Sequence, residues 1–158
     1  MAIYKQYLSS PVGILEIHAN ESSISQIFFV EEESPSNMLP NAVTKEAQRQ
    51  LKAYFAGQIK VFDVPLQLKG TVFQKNIWHY LQQIPFGQTM SYRDVGQIAG
   101  YPKASRAIGS AIGRNPISII IPCHRVIGRD GTLTGYSGGL ERKAWLLEHE
   151  KIAFNVSS

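Results

Sequence analysis

The hydrophobic pattern of this chain changes its period near Gly70, and that change limits what the chain can fold into. Before it, "AIYKQYL", "GILEIHA" and "SISQIFFV" are short runs rich in β-branched and aromatic residues, separated by the turn signals "SSPVG" and "NES". They predict strands across residues 2–30. A polar loop with two prolines, "EEESPSNMLPN", follows. "TKEAQRQLKAYFAG" then places Ala47, Leu51, Tyr54 and Phe55 at i, i+4, i+7 and i+8, one face of a helix that Gly57 stops. Strands followed by a helix make a small α/β unit, and "VFDVPLQLKG" reads as a last extended piece and a linker. The expected division is therefore 1–70 and 71–158.

After Gly70 the spacing is helical. "TVFQ" is a capping box, with Phe73, Ile77, Leu81 and Ile84 as the buried stripe behind it, and "PFGQ" ends that helix. "SYRD" is a second box, opening a short helix through Val95, Ile98 and Ala99 that Gly100 ends. "PKASRAIGSAIGRNP" predicts a third helix with Ala104, Ala107, Ile108, Ala111 and Ile112 inward, closed by Pro116. Two short helices joined by a tight turn read as helix-turn-helix. A last helix lies in "GGLERKAWLLEHEKIAF", with Leu140, Ala144, Leu147 and Trp145 facing in.

Charge is divided unevenly. Residues 1–70 hold six Lys/Arg and seven Asp/Glu, a balance of −1; residues 71–158 hold ten and five, a balance of +5. The basic half suits a polyanion, or is a mildly basic solvated face. The third helix carries Ala107, Gly109, Ser110, Ala111 and Gly113, all small, between Arg106 and Arg114. Two glycines within a short helix cost roughly 2 kcal/mol against alanine. Close approach of another backbone, protein or nucleic acid, would offset that.

No apolar run reaches membrane-spanning length, and "MAIYKQYLSS" lacks the apolar core of a signal peptide, so a cytoplasmic protein without a membrane partner is expected. Cys123 is the only cysteine, which excludes an internal disulfide, C-x-x-C redox pairs and multi-cysteine zinc sites. The histidines His18, His79, His124 and His149 show no metal spacing.

The chemistry concentrates in "IIIPCHRVIGRDG". A cysteine attacks as thiolate, and a neighbouring histidine or arginine promotes that form. Cys123 is followed by His124 and Arg125. Adjacent side chains point apart, so a bridging water suits the pair better than a direct hydrogen bond. Glu148 and Glu150 are both candidates to orient the imidazole. The bland alternative is a buried, inert thiol. "GYSGG" fits the G-x-S-x-G elbow of serine hydrolases, but no strand leads into it and only some twenty residues follow, so that reading fails.

"IPCHRV", preceded by "RAIGSAIGRNP" and followed by "GYSGGLERKAWLLEHE", resembles the O6-alkylguanine-DNA alkyltransferase family, over about residues 71–150. The resemblance implies an α+β chain, with a small ribonuclease-H-like α/β domain before a mostly helical winged helix-turn-helix domain. It implies a single-turnover methyltransferase that flips an O6-alkylguanine out of double-stranded DNA and moves the alkyl group to Cys123, with O4-alkylthymine as a further substrate class. His124 would act through a water, Glu150 would orient it, and Asn115 would brace the turn that carries the cysteine. Tyr92 would protonate guanine N3 and assist rotation of its phosphate, and Arg106 would fill the gap in the duplex. Tyr136 would line the pocket, the Ser137 amide would meet O6, and the carbonyls of Cys123 and Val126 would take the guanine amino group. Ser91, Lys103, Ala107 and Gly109 complete the implied DNA contacts, through the minor groove. The family implies a monomer without cofactor. Relatives with a structural zinc use N-terminal cysteines, which this chain lacks, and relatives that regulate transcription carry a cysteine-rich domain also absent here. A non-reactive lesion sensor is the alternative; sensors of that type replace the cysteine, commonly by tryptophan, and a plain helix-turn-helix transcription factor would not need Cys123, His124 and Glu150 together.

Overall fold

The computed structural model describes residues 3–155, so Ala2, at the start of the predicted strand region, and the end of the 71–158 segment lie outside the described residues. The chain forms two compact units, Met1–Lys69 with Pro116–Ser118, and Gly70–Asn115 with Ile119–Ser158.

The first unit is an antiparallel sheet in the order β1 (Tyr4–Ser10), β2 (Gly13–Ala19), β3 (Ile24–Val30). Alternation decides its faces. Leu15, Ile17 and Ala19 of β2 are buried while Glu16 and His18 point the other way, and a register shift at His18/Ala19 keeps Ile24 and Ile27 of β3 inward. Helix α1 (Ala42–Phe55) lays Ala47, Leu51 and Tyr54 on this sheet, all fully buried, with Phe55 at the margin. It starts two residues before Thr44, because Asn41 and Thr44 cap each other. Thr44 also donates to Gln6 Oε1, which satisfies a buried amide on the inner face. The outer edge of β3 is covered by backbone pairing with Pro65 and Gln67 and with Pro116 and Ser118.

The second unit is built from α2 (Val72–Leu81), α3 (Tyr92–Ala99), α4 (Ser105–Gly113) and α5 (Leu140–His149), with a two-residue parallel pair, β4 (Met90–Ser91) against β5 (Val126–Ile127). Both capping boxes form as the sequence predicts, Thr71 with Gln74 and Ser91 with Asp94. Gly100 ends α3 in the left-handed conformation at φ +87°, which a side chain would strain. Trp78 is buried on α2 and donates its indole N–H to the Ala111 carbonyl, tying α2 to α4.

Ile84 is buried as its stripe predicts, although it lies just past the end of α2. Three positions depart from the predicted stripes. Ile98 is exposed, because it lies about 200° round α3 from Gly96, the contact with α4. Ala107 sits on the uncovered flank of α4, where only Ile108, Ala111 and Ile112 are buried. Leu140 opens α5 and stays exposed, and the buried face of that helix is Lys143, Leu146 and Leu147.

The glycines of this unit differ in kind. A Cβ on Gly96 would stand 2.6 Å from Ile108 Cδ1 and 3.0 Å from the Tyr101 carbonyl, so only glycine lets α3 meet α4. A Cβ on Gly109 or Gly113 would meet nothing within 4 Å among the described residues. Protein packing therefore does not explain the two α4 glycines. Gly96→Val should destabilise the protein by about 1–3 kcal/mol through overpacking, whereas Gly109→Ala should stabilise it by about 0.5–1 kcal/mol. Urea unfolding of the two variants measures both; equal and opposite-to-expected shifts would contradict this assignment of the glycines.

Candidate active site

Cys123 opens a 3₁₀ turn, Cys123–Arg125, between Pro122 and β5. The approach to it is strained. Ile119 is buried with φ +72°, a region that a β-branched residue enters at a cost of about 1–3 kcal/mol. Asn115, just past the end of α4, holds the result: its Nδ2 donates to the Ile121 carbonyl at 2.7 Å and to Cys123 Sγ at 3.1 Å. The thiol is 3 % exposed. Burial pushes its pKa up; the Asn115 amide, the Lys143 ammonium and the backbone amides of Cys123 and His124 oppose that rise.

Behind the thiol lies a buried ionic cluster. Glu150, capping the C-terminus of α5, is the carboxylate that meets His124, with Oε2 2.6 Å from Nε2. Arg125 donates to both its oxygens, at 2.8 and 3.1 Å, and to the Ile84 carbonyl at 2.7 Å, while the Gly87 amide reaches Glu150 at 3.3 Å. The guanidinium also stands over the Phe86 ring at 5.9 Å. Burial alone would raise the Glu150 carboxyl; hydrogen bonds from His124 and Arg125 outweigh it and hold the pKa at about 2. An ionised carboxylate only accepts, so His124 must carry its proton on Nε2 and leave Nδ1 as a basic lone pair. Nδ1 is buried and has no partner among the described residues. Burial also lowers the imidazole pKa, with Glu150 opposing, so the ring is neutral at rest.

The cysteine and Tyr92 share a cavity of about 370 Å³ with Gly109, Ile112, Gly113, Gly135, Tyr136 and Ser137. Tyr92, the first residue of α3, has its hydroxyl 2.9 Å from Thr134 Oγ1. Tyr136 Oη is buried without a partner among the described residues; burial, then the neighbouring thiol, raises its pKa well above the ordinary value. The Val126 residue is buried and its carbonyl accepts from Lys143 Nζ at 2.6 Å. Arg106, Lys103 and Ala107 lie exposed in α4 and the turn before it, Gly109 is half-buried, and Ser91 uses its hydroxyl to cap α3.

Lys143 escaped the sequence reading. It is fully buried, donates to the carbonyls of Val126 and Thr134, and reaches that of Gly135 at 3.5 Å. Burial lowers its pKa to about 8, against the pull of the thiol. The signal was present: Lys143, Leu146 and Leu147 fall at i, i+3 and i+4, which sets a lysine on an apolar face. No such signal marked Arg125 as buried or Thr134 as a partner of Tyr92.

Residues 72–152 match the family model of the 6-O-methylguanine DNA methyltransferase DNA binding domain, and residues 3–68 match that of its ribonuclease-like domain. A methylated-DNA–protein-cysteine methyltransferase from Methanosarcina acetivorans is 45% identical over 153 residues, 94% of this chain and 98% of the relative. The crystal structure of the Mycobacterium tuberculosis O6-methylguanine methyltransferase superposes with a TM-score of 0.85 at 44% identity, covering 95% of this chain and 93% of that one. The M. tuberculosis protein in complex with DNA gives 0.86 at 45% identity, covering 94% and 92%. The matched domains, the identity along nearly the whole chain and the shared fold together show that this chain belongs to the 6-O-methylguanine DNA methyltransferase family.

Proposed function

We propose that this protein repairs DNA by moving an alkyl group from guanine O6 to Cys123, once per molecule. The observation that carries the reading is one buried thiol, braced by Asn115, facing a cavity and backed by a histidine whose free nitrogen is a base. In the reaction Sγ bonds to the alkyl carbon as the carbon–O6 bond breaks. The thiol proton passes through a water to His124 Nδ1, which Glu150 orients from the other side. Guanine leaves with the bonding electron pair, and the Tyr92 hydroxyl supplies a proton at N3. The Ser137 amide faces O6, the Cys123 and Val126 carbonyls take the amino group, and Tyr136 walls the base. The product is a thioether, and a chain with one cysteine has no second thiol to release it. No cofactor enters.

The target carbon is inaccessible within stacked DNA, so the nucleotide must leave the helix at a cost of a few kcal/mol. Arg106 would take its place in the stack. The Cβ-free positions Gly109, half-buried, and Gly113, exposed, with the small Ala107, suit α4 to the minor groove, with Lys103 and Ser91 on the flanking backbone. The protein would act as a monomer inside the cell, with access to the chromosome; among the described residues no helix is long and apolar enough to cross a membrane.

Intact-protein mass after incubation with a duplex containing one O6-methylguanine tests the reading. A stoichiometric gain of one CH₂, absent in Cys123→Ser, is expected. An unchanged mass with selective binding to the modified duplex would make this a lesion sensor instead. Arg106→Ala should slow methyl transfer from duplex by roughly tenfold or more, the scale of an uncompensated base flip, and leave transfer from a single-stranded oligonucleotide nearly unchanged. Equal slowing on both substrates would contradict the role given to Arg106.

A further inference from the structure

Thr134 carries no part in the chemistry above, yet its two ends are held by two parts of the site. Its carbonyl accepts from Lys143 Nζ at 3.1 Å, and its hydroxyl lies 2.9 Å from the hydroxyl of Tyr92. Lys143 is fully buried in α5, and beside its electrostatic pull on the Cys123 thiol it donates to the backbone carbonyls at 126, 134 and 135. That clamp fixes the backbone of Thr134. The side chain then fixes Tyr92, 42 residues away. The neighbouring Gly135 lines the same cavity as Cys123 and Tyr92.

We infer that Thr134 is the positioning residue for Tyr92, holding its phenol oxygen toward the cavity and donating a hydrogen bond to that oxygen as Tyr92 gives its own proton to the departing base; the inference rests on the role proposed above for Tyr92. A hydroxyl has one hydrogen and two lone pairs. While Tyr92 donates to Thr134, it cannot donate to a base. When Thr134 donates instead, the Tyr92 hydrogen is free to point into the cavity, and the negative charge that grows on the phenol oxygen is met by a donor already in place. Thr134 keeps its own proton throughout; it accepts none and transfers none. Consecutive hydrogen bonds of this kind polarise one another, so the Thr134 hydroxyl strengthens the donation by Tyr92 without touching substrate. The threonine methyl has no part in this, and the backbone clamp by Lys143 requires no particular side chain.

The test is a double-mutant cycle on single-turnover methyl transfer, with duplex affinity measured alongside. Thr134→Val keeps the shape and removes the hydroxyl; Thr134→Ser keeps the hydroxyl. Thr134→Val should slow transfer by about tenfold, the loss of one hydrogen bond to a group gaining charge, at unchanged duplex affinity. Thr134→Ser should lie within about twofold of the wild type, and Thr134→Val should add nothing to Tyr92→Phe. Normal transfer by Thr134→Val would overturn the inference. So would a Thr134→Ser protein as slow as Thr134→Val, or two slowings that multiply independently, which is also how a misfolded variant would behave. Failure of the wild-type protein to take up a methyl group at all would instead remove the reading of Tyr92 on which the inference rests.

Discussion

The carboxylate of Glu150 is the interaction on which the reactive site depends. It is buried, ionised and shared between an imidazole and a guanidinium. A buried charge of this kind is tolerated only when its lone pairs are occupied, and removing one member of such a pair strands the other at a cost of about 3–5 kcal/mol. Here the donors come from His124, Arg125 and the Gly87 amide, so one side chain at the end of α5 gathers the turn after Cys123 and the loop after α2. The same contact decides chemistry. Because Glu150 can only accept, it sets the tautomer of His124 and leaves the second ring nitrogen basic and unpaired within the site.

Stability is conceded where the cavity opens. Gly109 and Gly113 weaken α4, and nothing among the described residues occupies the space that their missing side chains leave. Gly96, one helix earlier, is the opposite case, where the absent Cβ is filled by Ile108 and the Tyr101 carbonyl. Ile119 adds backbone strain four residues before the thiol, and Tyr136 leaves a buried hydroxyl without a partner among the described residues. These departures from good packing gather around Cys123, as expected where a substrate rather than the fold completes the contacts.

Much of this was legible in the sequence, because the features that form locally leave local marks. The alternation in "GILEIHA" and the boxes "TVFQ" and "SYRD" fix a strand and two helix starts with contacts no more than three residues apart. Cys123 and His124 stand out by residue type. What stayed hidden are long-range polar contacts, since periodicity assigns a charged residue to solvent by default. Arg125 is buried only because Glu150, 25 residues on, and the Ile84 carbonyl receive it. Glu148 and Glu150 are equal candidates by residue type; the family resemblance singles out Glu150, and the end of α5 places its carboxylate on His124. Thr134 sits in a loop whose sequence says nothing about Tyr92.

In the proposed reaction Glu150 holds His124 neutral, protonated at Nε2, with Nδ1 free to take the thiol proton. A titration of the His124 ring nitrogens by ¹⁵N NMR in the full-length, unalkylated protein tests it most directly. An Nε2–H tautomer at neutral pH and a midpoint below the ordinary 6.5 are expected, because burial lowers the imidazole pKa more than Glu150 raises it. An Nδ1–H tautomer, or a midpoint at or above 6.5, would contradict it: the ring would then have no free nitrogen to take the thiol proton, or the pull of Glu150 would outweigh burial and favour the charged ring.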